Sequence, residues 1–91
     1  MSQDQIVKNP SVVCTEMDGD GVLLDLDTAA YYSLNRTALR IWNLIDETPM
    51  VEDIARRMTT EFAVDYDHAL GSARRVISTL EQERLIRIES I

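Results

Sequence analysis

Few side chains in this 91-residue chain are of a type and spacing that could do chemistry. Cys14 and His68 are the sole cysteine and the sole histidine. A thiolate beside an imidazole makes a nucleophile–base couple, but neither residue sits in a GxSxG or CxxC context, and they fall in different expected elements. Cys14 therefore reads as a small hydrophobe on a strand, and His68 as an exposed residue in the first turn of a helix. Glu16-x-Asp18-x-Asp20-Gly21, followed by Asp27, sets carboxylates at alternate positions around a sharp turn, as a Ca²⁺ loop does. Both ends miss that pattern: Glu16 stands where an aspartate is needed, and Asp27 where a bidentate glutamate is needed. The β-like flank Ser11–Thr15 also replaces the entering helix. A solvated turn is the better reading, and no metal or cofactor is expected.

Composition narrows the classes further. Nine basic residues against sixteen acidic ones give a net charge of −7. Arg74-Arg75 could form a basic helix face, but the chain has a single lysine, and phosphate-backbone binding needs clustered positive charge. These arginines read as a solvated face, and Trp42, Met50 and Met58 as core. A winged-helix DNA-binding or regulatory domain is the rival function, and the acidic balance opposes it. No apolar run reaches the roughly 18–20 residues of a membrane span. The start, MSQDQIVKNP, has neither the basic nor the apolar region of a secretory signal. One cysteine excludes an internal disulfide and fits a cytoplasmic location.

The hydrophobic period changes near Asn35, and the charge changes with it. Through Asn35 there are six acids and one lysine; beyond it, eight arginines face ten acids. Ser11–Leu34 has period two. A first strand runs to Met17, and Asp18-Gly19-Asp20-Gly21 supplies residues tolerant of the positive φ that a tight hairpin needs. In the second strand Val22, Leu24 and Leu26 are expected to face the core, with Leu23, Asp25 and Asp27 largely wet. Ala30–Leu34 reads as a short third strand.

From Asn35 the period is 3.6. Asn35 is a suitable N-cap for a helix carrying Ala38, Ile41, Trp42 and Ile45 on one face. Thr48-Pro49 is expected to open a second helix, as capping hydroxyl and first-turn proline. Val51, Ile54, Ala55, Met58 and Phe62 form its stripe. Asp65 or Asp67 caps a third helix with Ala69, Leu70, Ala73, Val76, Ile77 and Leu80 inward. Leu85–Ile88 reads as a terminal strand or extended tail. The expected fold is α+β and winged helix-turn-helix-like: a three-stranded antiparallel sheet followed by three helices. Residues 1–10 are expected to be a flexible N-terminus and 11–91 a single domain.

With catalysis, metals and nucleic acid set aside, the surface remains. Ala30–Leu34 carries no charge, proline or bulge signal, so its backbone would template another chain. Tyr31 and Tyr32 offer apolar bodies with polar tips, a composition favoured at interfaces. The same uncharged edge leaves homodimerisation open.

The blocks Val22-Leu23-Leu24-Asp25-Leu26, Tyr31-Tyr32-Ser33-Leu34-Asn35, Ile41-Trp42-Asn43-Leu44, Val51-Glu52-Asp53-Ile54-Ala55, Val76–Leu80 and Leu85-Ile86 resemble the PqqD family. These small leader-peptide-binding proteins are also called RiPP recognition elements. The resemblance spans roughly Val12–Ile88, and the run LLDLDTAAYYSLNRTALRIW is its most specific part. It implies a winged-helix-like adaptor without catalysis of its own. Such an adaptor binds the leader of a ribosomally made precursor peptide and presents it to a maturation enzyme: a protease, cyclase or radical enzyme. The pathway would make a lasso peptide, another such product, or the quinone cofactor PQQ. In the family the leader adds as a strand on the third strand, against the third helix. On this chain the resemblance maps the strand to Ala30, Tyr31, Tyr32, Ser33 and Leu34. It maps the helix face to Arg74, Ile77, Ser78 and Glu81. Ser72, Glu47 and Arg84 depart from the family pattern, the last standing near a usual glycine.

Overall fold

The computed structural model describes residues 4–90. Five strands and three helices follow in the order β1 (Asp4–Lys8), β2 (Val12–Met17), β3 (Asp20–Asp25), β4 (Tyr31–Leu34), α1 (Arg36–Ile45), α2 (Val51–Glu61), α3 (Tyr66–Gln82) and β5 (Ile86–Ser90). The expected meander is the antiparallel sheet β2-β3-β4. β2 turns into β3 through Asp18 and Gly19, both at positive φ (54° and 89°) and closed by the Met17–Asp20 pair. That is the type I′ geometry whose twist matches paired strands.

The second strand packs in the opposite phase to the one expected. Gly21, Leu23 and Asp25 are buried, Val22 and Leu24 only partly so, and Leu26 is exposed. Two local features set this phase. Gly21 lies where α1 crosses the sheet so closely that a Cβ would stand 2.7 Å from Leu39 Cδ1. Asp25 is buried because its carboxylate closes the β3–β4 connection, accepting from the Asp27 N–H at 2.9 Å. Its own N–H donates to Ala30 O at 3.0 Å. Counting apolar residues favoured Val22, Leu24 and Leu26; local hydrogen bonding and close packing favoured the other face.

Asn35 caps α1 as expected, its side chain accepting from the Ala38 N–H at 2.8 Å, and Asp65 caps α3 by accepting from His68 N–H at 2.7 Å. Thr48-Pro49 does not open α2. The helix starts at Val51 with Met50 as N-cap, and the Thr48 hydroxyl reaches Asp53 instead. Pro49 serves the N-terminal strand, its carbonyl accepting from the Ile6 N–H at 2.8 Å. The segment expected to be flexible thus holds an element over Asp4–Lys8: β1 pairs antiparallel with β5, Ile6 opposite Ile88.

α3 ends with Arg84 in the left-handed region (φ 61°), and the Leu85 N–H donates back to Leu80 O at 2.9 Å. This closure usually recruits glycine. It turns the chain so that Leu85 and Ile86 enter the core, where Leu23, Ile41, Leu44, Ile54 and Leu85 are fully enclosed. Burying each such side chain contributes about 1.5–3 kcal/mol. All three helices and both sheets lay residues into this one cluster.

Candidate functional site

The three-stranded sheet ends at β4, whose far side has no strand partner among the described residues. Along an antiparallel ladder, residues alternate between turning their N–H and C=O toward the neighbour and away from it. Ala30 O accepts from Asp25 N–H, and the register continues through Leu23–Tyr32 and Gly21–Leu34. Tyr32 and Leu34 therefore spend their backbone groups on β3. Tyr31 and Ser33 turn theirs to the open edge, and those groups are what an added strand would meet. The side chains alternate too: Tyr32 and Leu34 point to the core side with Leu23, while Tyr31 and Ser33 point outward.

Tyr32 links this edge to the end of α3. Partial desolvation, then the adjacent Glu83 carboxylate, hold its phenol above the ordinary tyrosine range, with a further push from Asp25. Glu83 is the C-cap of α3, so its place beside Tyr32 marks the flank of the helix that ends nearest this edge. At helical spacing Thr79 and Val76 share that flank, four and seven residues earlier; Val76 is half-buried against the core and Thr79 exposed.

The residues assigned by resemblance separate into two places. Ala30, Tyr31, Tyr32, Ser33 and Leu34 run together along the β4 edge. Arg74, Ser78 and Glu81 lie on the other side of the α3 core stripe, with the stripe's own Ile77 beneath them, in an open hollow of about 680 Å³ shared with β1, β5 and the start of α2. Ile6, Val51 and Ile88 help to line it, and Arg74 stands 3.9 Å from Glu52 across α2 and α3. The stripe of α3 was legible in the sequence, but its two flanks look alike there. Val76 stands in the expected stripe and Thr79 in a block that resembles the family, but the sequence assigns neither of them, nor Glu83, to the peptide site; counting back from the helix end beside a strand tyrosine is the signal that places them there.

The other chemical candidates stay apart. Burial, then Glu16, push the Cys14 thiol up, which disfavours the reactive thiolate. His68 is exposed at the start of α3. Among the described residues no group of carboxylates, His and Cys is placed to hold a metal ion. Arg40, Arg56, Arg57, Arg74 and Arg87 each stand within 4 Å of a carboxylate, so their charge is locally offset. Among the described residues, no helix is long and apolar enough to cross a membrane.

The family described as Coenzyme PQQ synthesis protein D (PqqD) matches residues 20–86, from the start of β3 to the start of β5. The chain belongs to the PqqD family. Among solved structures, this PqqD-family domain is similar to TbiB1 in complex with the TbiA(beta) leader peptide. The TM-score is 0.82 at 28% identity, over 89% of this chain and 94% of that one. It shares its fold with a lasso peptide synthetase B1 complexed with the leader peptide, with a TM-score of 0.81 at 23% identity over 91% of this chain and 98% of that one. No curated protein sequence matches the chain.

Proposed function

We propose that this PqqD-family domain is a non-catalytic adaptor. It binds the leader segment of a ribosomally synthesised precursor peptide as an added strand on β4 and holds it for a separate maturation enzyme. The observation that carries this reading is the unpaired, uncharged β4 edge, in a chain similar over nearly its whole length to one solved with a leader peptide. Main-chain bonds to Tyr31 and Ser33 set the leader's register, and alternate leader side chains fall on either face of the sheet. Those on the core side meet Tyr32 and the α3 flank formed by Val76, Thr79 and Glu83. A leader residue donating a hydrogen bond or carrying positive charge suits Glu83.

Arg74, Ile77, Ser78 and Glu81 would take part only if the leader continued beyond the edge into the hollow across α3. A lasso-peptide pathway suits this reading: both similar structures are leader-peptide complexes, and one of them is described as a lasso peptide synthetase B1.

Amide NMR of the full chain, titrated with candidate precursor leader peptides, tests the reading. Shifts centred on Tyr31–Ser33, Thr79 and Glu83 are expected. Shifts confined to the hollow at Arg74, Ser78 and Ile88 would move the site, and none at all would remove it.

A further inference from the structure

The exposed large apolar side chains of the three-stranded sheet gather on its outward face. Val13 is opposite Leu24, and Leu24 opposite Tyr31, so the three make one row across β2, β3 and β4. Val13 is 43% exposed and Tyr31 71%; Met17 (65%) extends the patch along β2 toward the turn, and Leu26 (60%), just past β3, is exposed as well. Asp20, beside the turn, is the one charged strand residue on this face. The opposite face, with Cys14, Leu23 and Tyr32, rests on the core. A stable small domain has no folding use for such a row in water, and contiguous exposed apolar surface marks an interaction site.

Its position says what covers it. Tyr31 is both the end of the row and part of the β4 edge. A leader strand added there would lie about 4.8 Å beyond β4 and turn every second side chain to the same outward face. Sheet and leader then form one continuous surface, and the sheet's share of it is uncharged away from the turn.

We propose that the outward face of β2-β3-β4 is the docking surface for the enzyme that acts on the leader-bearing precursor. That enzyme seats an apolar, uncharged surface across Val13, Leu24 and Tyr31 and meets the bound leader along β4. This inference rests on the leader reading and deepens it: the adaptor presents a composite face, so enzyme and leader reinforce each other's binding. The reinforcement is reciprocal, as any coupling between two sites must be.

The test uses the full chain, a leader peptide that it binds, and the protease, cyclase or radical enzyme that acts on that precursor. The double substitution Val13→Lys with Met17→Lys places charge on β2, two strands from the leader edge. Enzyme affinity is expected to fall at least tenfold while leader affinity stays within twofold. Val13→Ile with Met17→Leu should keep both. Unchanged enzyme affinity in the lysine variant would overturn the proposal. So would a wild-type dimer in sedimentation that the lysines split, since the row would then be a self-interface. Failure of the leader reading shows separately, as no leader binding by the wild type, and takes this inference with it.

Discussion

The Lys8 ammonium sits 4.2 Å from the centroid of the Trp42 ring and 2.9 Å from Asp46 Oδ2, tying β1 to both the face and the end of α1. The lysine stem covers a tryptophan that is otherwise core, and its charge meets the ring's negative face. Lys8→Ala is expected to cost about 0.5–1.5 kcal/mol, mostly through uncovered apolar surface and the lost cation–π contact. Lys8→Met should recover part of that. Urea unfolding followed by Trp42 fluorescence measures both; a cost of zero for Lys8→Ala would mean that β1 is only loosely held.

Asp25 is a buried polar side chain whose work is local. Replacing it with alanine leaves the Asp27 N–H without its acceptor and loosens the turn that delivers β4. A loss of about 1–2 kcal/mol is expected from the unmade hydrogen bond and the weakened turn. Asp25→Asn, which keeps an acceptor oxygen, should lose less. Thermal unfolding of the pair checks this, and equal losses would show that the turn does not depend on that bond.

Gly21 answers to packing. Gly21→Ala drives a methyl group against Leu39 Cδ1 and is expected to cost about 1 kcal/mol, at the low end of overpacking because a side-chain end can yield. Arg84→Gly runs the other way. A left-handed arginine at the end of α3 carries a steric penalty that glycine lacks, so the variant should gain roughly 0.5–1 kcal/mol in denaturant unfolding. A loss instead would show that the arginine side chain stabilises more than its backbone strains.

Arg40 grips Glu61 through two bonds, 2.6 and 3.0 Å, joining α1 to the end of α2. The hydrogen bond from Arg40 holds the Glu61 carboxyl below its usual 4.5. A carboxyl depressed in the folded state adds stability that is present above its unfolded value and lost as pH falls through the folded value. The pair is partly exposed, so Glu61→Gln should cost no more than about 1 kcal/mol at pH 7. That difference should shrink as pH falls from the usual 4.5 through the lower folded value, which comparing melting curves of the two proteins would show. A constant gap across those pH values would assign the cost to packing rather than charge.

Particular residues show what could be read from the chain and what could not. Asp18-Gly19, Asn35 and Asp65 act within a few residues of themselves, and each does in the structure what its type suggests. The apolar stripes of the helices were legible for the same reason. β1 was not: DQIVK has one fully buried residue, Ile6, and its partner strand lies some eighty residues away in the chain. The phase of β3 is not legible because Leu26 and Asp25 trade expected places, the leucine standing exposed and the aspartate folding into a turn. The type of Pro49 suggests a helix start, but its carbonyl, not its ring, has the structural task. At the site, the strand edge could be read from its missing charges. Which flank of α3 faces it depends on the helix–sheet docking angle, which no local pattern encodes.

The central claim is that the leader binds main chain to main chain at β4, and the Ser33 amide tests it most directly. Ser33→Pro removes an N–H that faces the open edge and takes no bond from β3, so the sheet should survive. Ser33→Ala keeps that N–H and serves as its control. Leader affinity, measured by fluorescence anisotropy with a labelled leader, is expected to fall at least tenfold in Ser33→Pro and to stay near wild type in Ser33→Ala. Both variants should keep the wild-type circular dichroism spectrum. A folded Ser33→Pro protein that binds the leader as tightly as wild type would contradict strand addition at β4.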